Sequence, residues 1–305
     1  MSLSRHSGGA LPRAFVAALA WALSLSLHAQ PLTGGEEHLA ADRPEAWAMN
    51  YLAATTFLTA FGETPALAPW AWSIATDLGQ IPRLSDAQRR VGFDGTKLED
   101  LNKSPVFGRL RLAVGLPADW IAEIAYTPPI EINGTRAHNL VALALGHRLI
   151  ERANWTVSGR VLGQQGTVRG DVTCPAQLAN VADPVRNPYG CQAASRDRFG
   201  LDYYGGELTA GWAAGGWFWH GSAGLVRTEL DVQVDALTNG FEDRSHLFAR
   251  GYRRYFALGT RRDVASNWSM AAEVLFVPLQ VRRSPDAARE SDPLVSLRLQ
   301  LSYRR

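Results

Sequence analysis

From Pro105 onward, apolar residues recur at every second position. In Val106–Val114 (VFGRLRLAV), Val106, Gly108, Leu110, Leu112 and Val114 share one face, and Phe107, Arg109, Arg111 and Ala113 share the other. After Leu116-Pro117-Ala118-Asp119, the run Trp120–Tyr126 (WIAEIAY) alternates again. The period returns over 137–149, 155–166, 201–213, 217–234, 246–260, 268–279 and 293–303, with Gly, Pro, Asn and Asp between the runs. A period of two over such lengths, punctuated by turn residues, predicts β-strands joined as hairpins.

Alternation does not say which face is the interior. A soluble barrel puts its apolar face inside, and a membrane barrel turns it outward to lipid. Three features favour lipid. Connections near 116–119, 150–154, 213–216 and 261–267 are short, whereas those near 127–137, 167–198, 235–245 and 281–292 are longer. Trp120, Trp155, Trp217, Trp219 and Trp268 follow directly on short turns, and Trp70 and Trp72 follow Thr64-Pro65. Tryptophan prefers the membrane interface, so a ring of them at one level reads as an aromatic girdle. Finally, the chain stops on an alternating strand, Leu297–Tyr303, that ends in an aromatic and is followed by Arg304-Arg305.

On these residues the chain resembles Gram-negative outer-membrane β-barrel proteins as a class. The resemblance implies an all-β, transmembrane, antiparallel up-and-down β-barrel, with about 10–12 strands expected from the hairpin count. It also implies an outer-membrane location, contact with outer-membrane lipid and lipopolysaccharide, and insertion by the outer-membrane assembly machinery. A monomer is expected. In such barrels both termini lie on the short-turn, periplasmic side, which makes the strand number even.

The organisation expected is a signal peptide over 1–29, an N-terminal segment over 30–61 and a barrel over 62–305. Arg5 and Arg13 precede the apolar stretch 14–27, and Ala29 offers a small residue for cleavage. Removing these two arginines from 31 basic against 29 acidic residues balances the remainder, so nothing points to nucleic acid. The stretch 45–61 reads as two short strands, a helix inside the barrel or an arm outside it. Residues 80–104 read as a long outer loop. The two cysteines, Cys174 and Cys191, lie in one polar segment without histidine, which predicts a disulfide across a loop rather than a zinc site.

With the apolar face on lipid, the opposite face lines the lumen. That set comprises Arg109, Arg111, Glu123, Arg148, Arg160, Gln164, Glu207, His220, Arg250, Arg254, Glu273 and Arg298, with Arg111 and Glu123 expected to pair across their turn. The bland reading is charges bracing a filled barrel. The functional reading is a polar pore for a small or amphipathic solute, with surplus arginine favouring anions. His220 and Ser222 resemble the His-x-Ser pair of outer-membrane phospholipases and lipid A deacylases. In those enzymes the pair faces lipid near the outer rim; here both face inward just after a short turn, which argues against catalysis. Asp171, Asp183, Asp197 and Asp202 match no calcium-loop spacing and read as solvated acids. Neither a metal nor a cofactor is expected. A surface-binding barrel that meets a partner through its disulfide loop is the remaining alternative.

Overall fold

The computed structural model describes residues 32–62 and 67–305; the expected signal peptide lies outside the described residues. Ten strands form the barrel: β1 (Trp72–Gln80), β2 (Val106–Leu116), β3 (Trp120–Thr127), β4 (Arg136–Arg152), β5 (Trp155–Gly170), β6 (Asp197–Ala214), β7 (Trp217–Gln233), β8 (His246–Ala265), β9 (Trp268–Val277) and β10 (Leu294–Arg304). Each is antiparallel to the next, and β10 pairs with β1 in a register that sets Arg298 opposite Gly79 and Arg304 opposite Ser73. The sheet therefore closes on itself, each strand pairing with both of its neighbours over part or all of its length.

Side-chain direction follows the pleat. On β1, Ser73, Ala75 and Asp77 are buried, while Ile74, Thr76 and Leu78 are exposed. The outward set continues round the wall as Leu110, Leu112, Leu143, Leu145, Val161, Leu208, Leu258, Val274, Leu297 and Leu299, all exposed. An apolar exterior round a polar, filled interior is the arrangement of a transmembrane barrel. At the short-turn end Trp70, Trp120, Trp155, Trp217, Trp219 and Trp268 face outward, and Trp72 is half-buried. Trp212 joins them by stacking on Trp155 with centroids 6.0 Å apart.

The stretch 45–61 resolves into helix α1 (Pro44–Thr55) and an extended run that passes down the lumen. Pro44 in the first turn and Glu45 beside the helix N-terminus favour initiation there, and the alanine-rich sequence favours continuation. All of its residues except Leu52 are buried, because barrel strands and the loop segments around 82, 90–95 and 280–292 cover it together. The helix spans about 18 Å; beyond it Thr56 keeps a right-handed helical conformation, and Phe61 and Gly62 take positive φ where the run turns.

The direction of this thread corrects one expectation. Upstream of the helix, Glu36–His38 pairs in parallel with His246–Phe248, and Leu32–Thr33 with Phe241–Asp243. Both partners lie at the long-loop end. The described N-terminal segment therefore sits at the opposite mouth from the C-terminus, and the chain runs through the lumen before β1 begins. The strand count is still even, because β1 begins and β10 ends at the short-turn end.

The long loops fold over the mouth. Cys174 and Cys191 are joined, with Cα atoms 5.6 Å apart, and pack against Ala236. In the loop after β1, Lys97 Nζ contacts Glu99 at 2.8 Å and donates to the carbonyl of Thr173. Burial pushes the Glu99 carboxyl up to about 7 despite the neighbouring ammonium. A raised acid binds its proton more tightly in the folded loop, so the stability it contributes falls as pH rises from its ordinary range near 4.5 through about 7. Limited proteolysis of the 81–105 loop is expected to accelerate over that interval in the wild type. Glu99→Gln should flatten the response, and an unchanged profile would remove this group as its origin.

Candidate functional site

The lumen is built from side chains that hold a peptide. An extended backbone in a dry interior must have its N–H and C=O groups satisfied, and this one has no sheet neighbour. The wall supplies the partners. Arg298 donates to the carbonyls of Phe57 at 2.6 Å, Thr55 at 3.0 Å and Ala54 at 3.1 Å. Arg160 reaches the Leu58 carbonyl at 2.6 Å, Arg111 the Thr59 carbonyl at 3.0 Å, and Arg109 the Thr56 carbonyl. The amides of Leu58 and Ala60 donate to the Tyr203 hydroxyl and to Glu207, and the Thr59 hydroxyl donates to Glu273. Gln164 contacts the Thr56 hydroxyl at 2.8 Å.

The same arginines tie the wall together. Arg111 bonds Asp77 at 2.5 Å and Glu123 at 2.9 Å; Arg160 bonds Glu123 at 3.3 Å and Glu207 at 3.1 Å. Arg111 stands opposite Ala125 rather than Glu123, so the expected pair forms on the diagonal. Tyr255 extends the chain by donating to Glu207 at 2.5 Å. Four arginines (109, 111, 160 and 298) thus face four carboxylates (Asp77, Glu123, Glu207 and Glu273), all buried. No arginine surplus remains on this level to set a preference for anions.

Arg148 lies at the short-turn mouth, paired with Glu151 and with Asp119. Arg250 and Arg254 are not lumen residues: both are exposed on the outer wall. On β8 the inward positions are Ala249, Gly251, Arg253, Tyr255 and Ala257, and the buried Tyr255–Glu207 bond holds that phase. In the doublet Arg253-Arg254 only the first turns in, donating to Asn50 of the helix at 2.8 Å. Asp77, Tyr203, Arg253 and Tyr255 were missed by the sequence reading. Alternation on β1, β6 and β8, once phased on the inward residues, would have found them.

His220 and Ser222 point inward, 2% and 6% exposed. Ser222 Oγ meets Thr209 Oγ1 at 2.8 Å, and His220 Nε2 stands 3.5 Å from Glu273. A Cβ at Gly62 would lie 2.9 Å from His220 Nδ1, so the thread closes over the ring. The pair is sealed from lipid and is not assembled as a nucleophile with its base. The four loop acids do not converge either. Asp171 bonds Lys103, Asp197 accepts from Thr173 N and Ser195, Asp202 from Gly166 N, and Asp183 from Val185 N. Among the described residues no group of three or more His, Cys, Asp or Glu is placed to hold a metal.

The open volume lies beside the thread. Pro128-Pro129 ends β3 at Thr127, so its pairing with β2 stops at Leu110 and its pairing with β4 at Leu140. Above that point Val106–Arg109 and Arg136–Asn139 have no strand between them. A cavity of about 400 Å³ fills the wedge. Leu52, Thr56 and Arg109 form its inner floor, Leu140 and Leu201 its inner wall, and the outward-facing Leu78, Val106, Leu110 and Ile130 its outer rim. It therefore spans the barrel wall, from lumen to exterior.

No family model and no curated protein matches the chain. Solved structures similar to it are barrels. The outer-membrane protease OmpT of Escherichia coli shares 8% identity over 82% of this chain and 100% of its own, with a TM-score of 0.37. The attachment invasion locus protein Ail of Yersinia pestis shares 11% over 78% and 100%, at 0.32. The toluene transporter TodX of Pseudomonas putida shares 13% over 81% and 72%, at 0.31. At such identities and scores the likeness reaches no further than a shared barrel.

Proposed function

We propose that this chain is an outer-membrane β-barrel that admits small apolar or amphipathic molecules through the wedge above β3. The membrane reading rests on the outward apolar belt and the tryptophans at one level. One observation carries the rest: the cavity that joins the lipid-facing rim to the inner floor. Its volume lies at the small end of ligand pockets, and its lining is mostly apolar with few polar groups, as such pockets are. A hydrated-ion route is disfavoured, because the lumen is occupied by α1 and the extended run.

The polar floor gives the site an amphipathic character. Thr55, Thr56 and Arg109 lie at the inner end and Lys103 and Ser104 toward the loops, so a molecule with one polar terminus is accommodated as well as a hydrocarbon. Uptake of radiolabelled octane, toluene and octanoate by Gram-negative cells expressing the protein tests the reading. The wild type should raise the rate of at least one of them severalfold over empty-vector cells. Leu140→Trp, which fills the cavity from its inner wall, should return it to background. A correctly inserted wild type with no gain for any of these probes would sink the proposal.

A further inference from the structure

The outer wall carries a feature that the cavity does not use. In the barrel register Arg136 of β4 stands opposite Arg169 of β5, and Arg169 opposite Arg198 of β6. All three are exposed and share the outward phase, since Ala137, Val168 and Phe199 beside them belong to the interior. Adjacent strands lie about 4.8 Å apart, so three guanidinium stems stand side by side, and like charges directly opposite one another repel. The row continues through Gln233 to His246.

Local acids neutralise it only in part. Asp171 bonds Lys103 at 2.8 Å, Asp235 bonds Arg196 and Arg244, and Asp231 bonds His246 at 3.3 Å. Glu131 lines the same open cleft, and Asp202, below the row, accepts from the Gly166 amide and is attracted to Arg198 without bonding it. Among the described residues Arg136, Arg169 and Arg198 form no salt bridge or hydrogen bond. Three unpaired guanidiniums at this spacing form a fork for more than one phosphate oxygen.

The level of the row selects the ligand. Arg198 and the girdle residue Trp212 are both outward on β6, fourteen positions apart. At about 3.3 Å per residue and a tilt near 40°, that separation is roughly 35 Å along the barrel axis. An apolar band about 25 Å tall above the girdle leaves the arginines about 10 Å beyond the hydrocarbon. The phosphate of a diacyl phospholipid sits closer to its acyl chains than that. A glycolipid whose phosphates are carried on headgroup sugars reaches the row while its chains lie on Leu143, Val161 and Leu208 beneath.

We infer that Arg136, Arg169 and Arg198 form a docking site for a phosphorylated outer-leaflet glycolipid, a lipopolysaccharide. The inference shares the membrane placement of the proposed function but not its cavity. Titrating the purified full barrel in detergent with rough-type lipopolysaccharide, before and after phosphatase treatment, tests it. Binding to the wild type should weaken at least tenfold after dephosphorylation, and at least tenfold in Arg136→Gln/Arg169→Gln/Arg198→Gln. Arg250→Gln/Arg254→Gln, outward but off the row, should bind as the wild type does. Should the triple variant fail to fold, the wild type alone decides: its binding should fall steeply between low and high salt. Equal binding of the dephosphorylated lipid, salt-independent binding, or saturation of the site by inorganic pyrophosphate alone would overturn the assignment. None of these outcomes touches hydrocarbon uptake, so the two proposals fail separately.

Discussion

Deleting residues 44–62 is expected to give a barrel with stepwise conductance in planar bilayers, where the full chain should give none. The helix and the extended run fill the lumen from mouth to mouth, and a helix with its side chains is about 10 Å across. Removing them leaves a column lined by Arg109, Arg111, Arg160, Arg298 and their four carboxylates. Those groups already pair with one another, through Asp77–Arg111–Glu123–Arg160–Glu207, so the wall keeps its internal bonds while water replaces the peptide carbonyls.

A point variant tests the same account more gently. Arg160→Ala removes the shared partner of Glu123 and Glu207 and the donor to the Leu58 carbonyl, leaving Glu207 without its cation and Glu123 to share Arg111 with Asp77. Breaking a buried pair on one side costs about 3–5 kcal/mol. The loss should appear as a lower unfolding temperature in the heat-modifiable gel shift, together with flickering rather than steady conductance. A deletion variant that keeps the gel shift yet conducts nothing would mean that the long loops close the mouth unaided, and the thread would lose its role as the plug.

The hairpins were legible because a lipid-facing wall leaves a mainly apolar face along most strands, as over 106–114 and 295–303. Arg109, Arg111 and Arg298 were legible by elimination, as the opposite face. The plug was not. Barrel strands and loops together cover α1, so it presents no polar stripe and no helical period, and its sequence left three alternatives open. What the lumen arginines bind was also hidden, because most of their partners are backbone carbonyls of 54–59, which carry no residue identity. On β8 the misassigned Arg250 and Arg254 trace to a strand whose two faces are nearly equal in polarity. Arg253 and Tyr255 turn inward while Tyr252 and Arg254 turn outward, and only the bond to Glu207 sets the phase.

The direction of the thread has a consequence on the cell surface. If the long loops face outward, as the alternation of loop length implies, then Gly35 lies outside the cell while the Ala153 turn lies in the periplasm. In intact Gram-negative cells a membrane-impermeant maleimide should therefore label Gly35→Cys as fully as Asp286→Cys in the exposed loop after β9. Ala153→Cys should stay unlabelled until the membrane is permeabilised. The two native cysteines are bonded to each other and add no background. The contrast should be close to all-or-none, because the buried segment 44–62 occupies the lumen between the two sides. Labelling of Asp286→Cys but not Gly35→Cys in intact cells would return the N-terminal segment to the periplasm and undo the threaded topology. The reverse pattern at all three positions would invert the barrel itself, and with it the level assigned to the arginine row. A barrel whose plug enters from the outer mouth must also bring its N-terminal segment across before or while the wall closes, since residues 44–62 are enclosed by all ten strands once β10 has paired with β1.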